Sequence, residues 1–196
     1  MHKIIFATHN AHKLLELKNI LSGLYEVVSL DEMGIKEDIP ETGETLFENA
    51  SIKSRYVKEK LQMDCFADDT GLEVDALNGA PGVYSARYAG ETATYEQNVE
   101  KLLLELGDTN HRSARFKTVI SLLLEGKEYF FEGTVEGKII FERRGSDGFG
   151  YDPVFMPDGY NETFSEMTME LKNSISHRGR AVQKLVAFLK EYHQEL

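Results

Sequence analysis

Apolar and polar positions along the chain switch between a period of two and a period near 3.6, and the switches predict its elements. Lys3 to Ala7 reads as a first strand, Ala11 to Ser22 as a helix with Leu14, Leu17 and Leu21 on one face, and Tyr25 to Ser29 as a short strand. A second helix starts at Thr45, where Thr45 and Glu48 have the spacing of a capping box, and Leu46, Ala50, Val57 and Leu61 form its apolar stripe. The apolar run Cys65-Phe66-Ala67 leads into ADDTG, a strand that ends on two adjacent carboxylates, Asp68 and Asp69. Side chains alternate along a strand, so at most one of this pair faces a given site. After a loop containing Gly79, Pro81 and Gly82, a helix runs from Thr94 to Leu106, with a second capping box at Thr94 and Gln97. Two long strands, Arg112 to Leu124 and Lys127 to Thr134, are joined by the tight turn Glu125-Gly126, and Gly137 is expected to turn the chain into a third at Lys138 to Arg143. Gly145, Gly148 and Gly150 mark a glycine-rich loop, and a last helix from Ser176 to Tyr192 carries Val182, Leu185, Phe188, Leu189 and Tyr192. Strands and helices without repeat or linker predict one mixed α/β fold, two-lobed, with the long hairpin in one lobe.

Composition narrows what such a fold can do. At 196 residues the chain can bury one good-sized core or two small lobes sharing a cleft. No apolar run approaches the ~20 residues that would span a bilayer. The apolar stretch at the N-terminus is too short for a signal-peptide core, so a cytoplasmic protein is expected. The single cysteine, Cys65, sits in an apolar run and reads as packing in a reducing compartment. With 22 basic and 33 acidic residues the net charge is −11, which argues against wrapping a nucleic-acid backbone. A small anion remains a fitting ligand where a few cations or a metal are concentrated, so the placement of individual lysines and arginines carries more information than their number.

Local rules tend to be broken at functional sites, and three positions break them in the same sense. In THNAHK, from Thr8 to Lys13, Asn10 is a helix cap and Lys13 falls in the first helical turn, where the dipole disfavours a cation; a solvated lysine or an anionic ligand at that end accounts for it. Lys53 lies inside the apolar stripe of the second helix and must either snorkel to solvent or meet a charge, with Asn49 one turn earlier on a neighbouring part of the face. In SHRGR, Ser176 caps the last helix while His177, Arg178 and Arg180 crowd its positive end, with Lys172 upstream, which suggests a second anion site. On the acidic side, Glu44 suits the helix that follows it, whereas Glu41 lies outside that helix and is free to approach the ADDTG strand end. Carboxylates beside several cations match the needs of phosphoanhydride chemistry: Mg2+ on phosphate oxygens, Lys and Arg neutralising the rest, and a carboxylate to take a proton from water. In DGFGYD, Phe149 and Tyr151 stand between glycines, either as rings on which a flat base stacks or as core aromatics beside a turn.

Taken in order, Thr8-x-Asn10-x-x-Lys13, Glu41-Thr42-Gly43 with Asn49 and Lys53, the block ADDTGLEVDALNGAPGVYSARYAG, FGYDPVF, and Ser176-His177-Arg178 resemble the inosine triphosphate pyrophosphatase family, the XTP/dITP diphosphatases. The resemblance spans Thr8 to Arg178, nearly the whole chain. It implies hydrolysis of non-standard purine nucleoside triphosphates (ITP, dITP, XTP) to the monophosphate and pyrophosphate, which cleanses the nucleotide pool before such bases enter DNA or RNA. By this resemblance the loop of Thr8, His9, Asn10, Ala11, His12 and Lys13 holds the triphosphate, and Glu41 and Asp69 bind Mg2+, with Asp69 as proton acceptor. Lys53 and Thr70 line the phosphates, and Phe149, Gly150, Tyr151, Asp152, Lys172, His177 and Arg178 enclose the purine. The family also implies one catalytic domain of two α/β lobes around a central mixed sheet, with a cleft between them, and a homodimer. His9 and His12 depart from it, since small residues are common there, and they place titrating groups beside the phosphates.

Two other readings compete. A phosphatase that forms an aspartyl-phosphate would make ADDTG its acidic signature, but it needs two aspartates on one face of the strand, two residues apart, and here they are adjacent. A nucleotide-binding sensor would keep the basic residues and lose the catalytic carboxylates, yet Glu41 and Asp69 are both present.

Overall fold

In the computed structural model, which describes residues 2–194 without the side chains of His12, Glu16, Asn19, His193 and Gln194, the elements follow the predicted order. They are β1 (His2–Phe6), α1 (Ala11–Ile20), β2 (Tyr25–Ser29), α2 (Leu46–Leu61), β3 (Cys65–Val74), β4 (Pro81–Gly82), α3 (Tyr95–Leu106), β5 (Ser113–Leu124), β6 (Lys127–Ile139), β7 (Phe155–Pro157), α4 (Met169–Ile175) and α5 (His177–Gln194). Both capping boxes form: Thr45 accepts from the Glu48 N–H at the start of α2, and Thr94 does the same with Gln97 at α3, each glutamate or glutamine side chain reaching back to the cap. The seven strands make one mixed sheet in the order β2-β1-β3-β5-β6-β7, with β4 on β3. β1 is parallel to β2 and to β3, while β4 and β7 pair antiparallel with β3 and β6.

The chain divides into two compact units. The first comprises the residues up to Asp69, Val119–Glu132 and those from Ala181 on; the second comprises Thr70–Thr118 and Gly133–Arg180. In the first unit β1 and β3 are buried on both faces. Ile4, Phe6 and Phe66 join Leu17, Leu21 and Leu185 in one cluster, where the Phe6 and Phe66 rings stack at 4.6 Å. Ile5, Ala7, Cys65 and Ala67 join Val57 of α2 in another. Alternation along β3 therefore assigns Asp68 to the face covered by α1 and Asp69 to the face covered by α2. Cys65 is packing, as expected: burial pushes its thiol up to about 12. The second unit has its own core, in which Leu72, Val99, Leu102, Phe116, Phe155 and Phe164 meet. Among the described residues, no helix is long and apolar enough to cross a membrane.

Two predictions are corrected, and one helix is added. Gly137 does not turn the chain, and the strands expected at Lys127 to Thr134 and Lys138 to Arg143 are replaced by a single β6 running on to Ile139. The glycine is there for close approach: it lies opposite Pro157, and a Cβ would collide with the Met156 carbonyl oxygen and come within 2.9 Å of Pro157 Cα. Because those obstacles are backbone, Gly137→Ala is expected to destabilise by about 1–3 kcal/mol; an unchanged urea midpoint would contradict it. The last predicted helix forms as α5, which starts at His177 directly after Ser176, and a further short helix, α4, precedes it without having been predicted. Seven residues are too few for a helical period to show in the sequence, and Ser176 closes α4 while its hydroxyl accepts the Gly179 N–H to open α5. The first predicted helix stops at Ile20 rather than Ser22. The Glu125-Gly126 turn forms as predicted, with φ of 49° and 80° at its two residues.

Candidate active site

In the first unit, the chain between β1 and α1 is held by its own side chains. Thr8 Oγ1 accepts the Asn10 N–H at 3.1 Å, and Asn10 Oδ1 accepts the Lys13 N–H at 3.1 Å, capping α1 as expected. Lys13 Nζ donates to Asp68 Oδ2 at 2.8 Å. The cation in the first turn is thus answered by a carboxylate from β3. His9 is tied outward, with Nδ1 3.1 Å from Asp31 Oδ1 and Nε2 3.3 Å from the Glu37 carbonyl. Ala11 opens α1 on the surface, and the role expected of His12 rests on a side chain outside the described residues.

Across the other face of β3, Lys53 does not snorkel. Its Nζ donates to Glu41 Oε1 at 2.5 Å and to Asp69 Oδ1 at 3.3 Å. Burial drives the ammonium pKa down, but Asp69, Glu41 and Asp68 outweigh it, and the pKa ends above its ordinary value. Asp69 moves in the opposite sense. Burial raises its carboxyl to about 6, with Lys53 pulling down, Glu41 pushing up, and the Asn49 amide also drawing it down. Asp69 Oδ2 is nonetheless buried without a hydrogen-bond partner, and so is Asn49 Nδ2, so the amide acts on the carboxyl from outside hydrogen-bonding geometry. An all-oxygen pair, Asp69 buried with one orphaned oxygen and Glu41 half-buried, suits a hard divalent cation such as Mg2+.

In the second unit, Thr70, first after Asp69, shares a 2.7 Å hydrogen bond with Thr118. A second cluster forms around the glycine-rich loop. Phe149 is 43% exposed, with Lys172 Nζ 5.0 Å and Arg178 Cζ 5.7 Å from its ring centre. Lys172 is buried and donates to Asp152 Oδ2 at 2.5 Å, and the same oxygen accepts the Phe149 N–H at 2.9 Å. Asp152 therefore fixes both the loop and the lysine. His177 stacks on Phe116 with ring centres 4.7 Å apart, so it presents an edge rather than a face. Gly150 carries the chain through the loop with φ of 63°.

Two expectations fail in this cluster. Tyr151 is not an exposed stacking ring: it is 4% exposed, and its hydroxyl donates to the Ser85 carbonyl at 2.7 Å, which makes it the core alternative. Arg180 does not add to an anion site, because Nη1 donates to the Thr134 carbonyl at 2.5 Å and ties α5 to β6. Tyr95 was missed. Exposed at the first position of α3, its ring lies 6.2 Å from Phe149. Its neighbour in the sequence is a cap, and nothing local signals a partner so distant along the chain.

Residues 4–188 match the model of the Ham1 family. A protein of Porphyromonas gingivalis named dITP/XTP pyrophosphatase is 55% identical over 96% of this chain and 98% of its own. One of the same name from Flavobacterium johnsoniae is 51% identical over 95% of this chain and 97% of its own. Among solved structures, the Ham1 protein of Staphylococcus aureus superposes with a TM-score of 0.92 at 42% identity, covering 97% of this chain and 99% of its own. The HAM1 protein of Coxiella burnetii superposes with a TM-score of 0.93 at 40% identity, covering 97% and 100%.

Proposed function

The chain belongs to the Ham1 family, and from that premise we propose that it hydrolyses XTP, dITP and ITP to the monophosphate and pyrophosphate. The observation that carries the chemistry is Asp69: a buried carboxyl raised to about 6, bound through one oxygen by Lys53 and orphaned at the other. A carboxylate with that pKa is ionised at neutral pH yet basic enough to accept a proton from water. Water attacks the α-phosphorus, its proton passes to Asp69, the bond to the bridging oxygen breaks, and pyrophosphate leaves. Lys13 and Lys53 supply fixed positive charge for the phosphates, already oriented by Asp68 and by Glu41 with Asp69, so little reorganisation is needed as charge develops. Thr8 and Asn10 hold the loop that receives them. Glu41 and Asp69 would bind Mg2+, which would supply further charge neutralisation at the phosphate oxygens.

For the base, Phe149 offers a face, and Lys172 and Arg178 offer donors beside it. Donors suit a purine with an acceptor oxygen at its sixth position; adenine presents an amino group there and leaves donors unpaired, at a cost of roughly 1–3 kcal/mol each. The aspartyl-phosphate alternative fares worse, since Asp68 and Asp69 point to opposite faces of β3 and each is engaged by its own lysine. Work in the cytoplasmic nucleotide pool agrees with the lone buried thiol, and the family resemblance adds a homodimer.

The test is to incubate XTP, dITP, ITP and ATP with the protein, with Mg2+ and after exhaustive chelation, and to separate the products. The reading expects pyrophosphate and monophosphate, with the three non-standard substrates ahead of ATP by about tenfold to a hundredfold. Orthophosphate with a diphosphate left behind, or equal rates for ATP and ITP, would overturn it, and activity that survives chelation would remove Mg2+ from it.

A further inference from the structure

Asn49 is fully buried, 0% exposed, on α2 one turn before Lys53. Its Oδ1 accepts the Gly43 N–H at 2.8 Å, two residues beyond Glu41. Position 43 leaves no room for a side chain: a Cβ would meet Asn49 Oδ1 at 2.8 Å and Glu48 Cβ at 2.6 Å. The Glu41 segment is therefore pressed against the amide as well as bonded to it. The other end of the amide, Nδ2, has no hydrogen-bond partner among the described residues, and in the same unit Asp69 Oδ2 is the buried acceptor that also lacks one. The two atoms are chemically complementary, a donor and an acceptor, and the amide draws the pKa of that carboxyl down. Lys53, one turn further along α2, bonds both Glu41 and Asp69. Asn49 and Lys53 together thus address the same two segments, one with an amide and the other with an ammonium.

We propose that Asn49 is a positioning residue: its oxygen anchors the segment carrying Glu41, its nitrogen steers the free oxygen of Asp69, and one rigid side chain thereby sets the spacing of the two proposed Mg2+ ligands. The inference rests on the reading of Glu41 and Asp69 as a working pair. A side chain that orients metal ligands without touching the metal typically controls affinity or activity by about tenfold to a hundredfold.

Three variants test this. Asn49→Ala removes both ends of the amide, and Asn49→Leu does so while keeping the volume filled, in case the smaller residue does not fold. Each folded variant is expected to bind Mg2+ about tenfold or more weakly, measured by calorimetry on the substrate-free protein, with KM for XTP at saturating Mg2+ within about threefold of the parent. Asn49→Asp keeps the acceptor for the Gly43 N–H and loses the donor facing Asp69, so kcat should fall by about tenfold or more while the melting temperature shows an intact fold. A role limited to anchoring the loop would lower stability in the first two variants and leave both Mg2+ affinity and the kcat of Asn49→Asp at parental values; that pattern overturns the proposal. Failure of the functional reading looks different: the parent protein itself would release no pyrophosphate from XTP.

Discussion

Replacing Asp69 by asparagine is expected to lower kcat by at least about a hundredfold, the scale for losing a general base, while the fold persists. The shape of the side chain is kept, and so is an oxygen for Lys53; what disappears is the charge proposed to accept the proton. Near-parental turnover of XTP by this variant would remove Asp69 from the chemistry. The parent should show an acidic limb in kcat/KM near pH 6, because Asp69 as the proposed proton acceptor has to be ionised and its carboxyl is raised to about 6. Its stability effect runs the other way. A folded pKa raised from an ordinary 3.8 to about 6 means that folding favours the protonated carboxyl. That contribution is fully present below about pH 4 and is lost as the pH rises through about 6. The asparagine has nothing to ionise, so the variant should gain in relative stability between about pH 4.5 and about pH 7.5. Urea midpoints at those two values check the sign, and a relative loss over that interval would show that the carboxylate is better solvated than its burial implies.

The parts of this molecule that sequence reveals are those decided within about one turn of chain. The capping boxes at Thr45 and Thr94 formed because each uses residues three apart. Lys53 stood out because an ammonium in an apolar stripe conflicts with its neighbours, and the conflict was resolved by Glu41 and Asp69. The adjacency of Asp68 and Asp69 forced them onto opposite faces of β3, which the two lysine pairings bear out. What stayed hidden is decided by contacts between distant positions. Gly137 looks like a turn residue until β7 is seen lying against it. Tyr151 and Phe149 are both aromatics between glycines, and only the packing around Ser85 separates the buried ring from the exposed one. The bond between Lys172 and Asp152 joins residues 20 apart with no periodic signal. That bond recasts both residues, since the lysine near Phe149 is aimed by the aspartate.

Lys53→Met should be the more damaging change to stability, and its cost should depend on pH. Methionine keeps most of the length of lysine and removes the charge, leaving Glu41 and Asp69 to face each other without their shared cation. Breaking a buried ion pair from one side costs about 3–5 kcal/mol. The Lys53 side chain is 12% exposed and that of Asp69 10%, but Glu41 is 28% exposed, so a loss of about 2–3 kcal/mol at about pH 8 is the reasonable expectation for this site. Lys53 holds the Asp69 pKa down, and its removal lets that pKa climb further. At about pH 5 the carboxyl in the variant is then protonated and the repulsion with Glu41 is relieved. The destabilisation should therefore be small at about pH 5 and grow as the pH rises through about 6 and above. A double-mutant cycle separates this from simple loss of packing. If the cost comes from uncompensated charge, Lys53→Met should be markedly milder in the Asp69→Asn background, because one of the two charges is already gone. Equal costs in both backgrounds, or the same loss of urea midpoint at the acidic and the alkaline pH, would mean that Lys53 contributes through its methylene stem rather than as the counter-ion of Asp69.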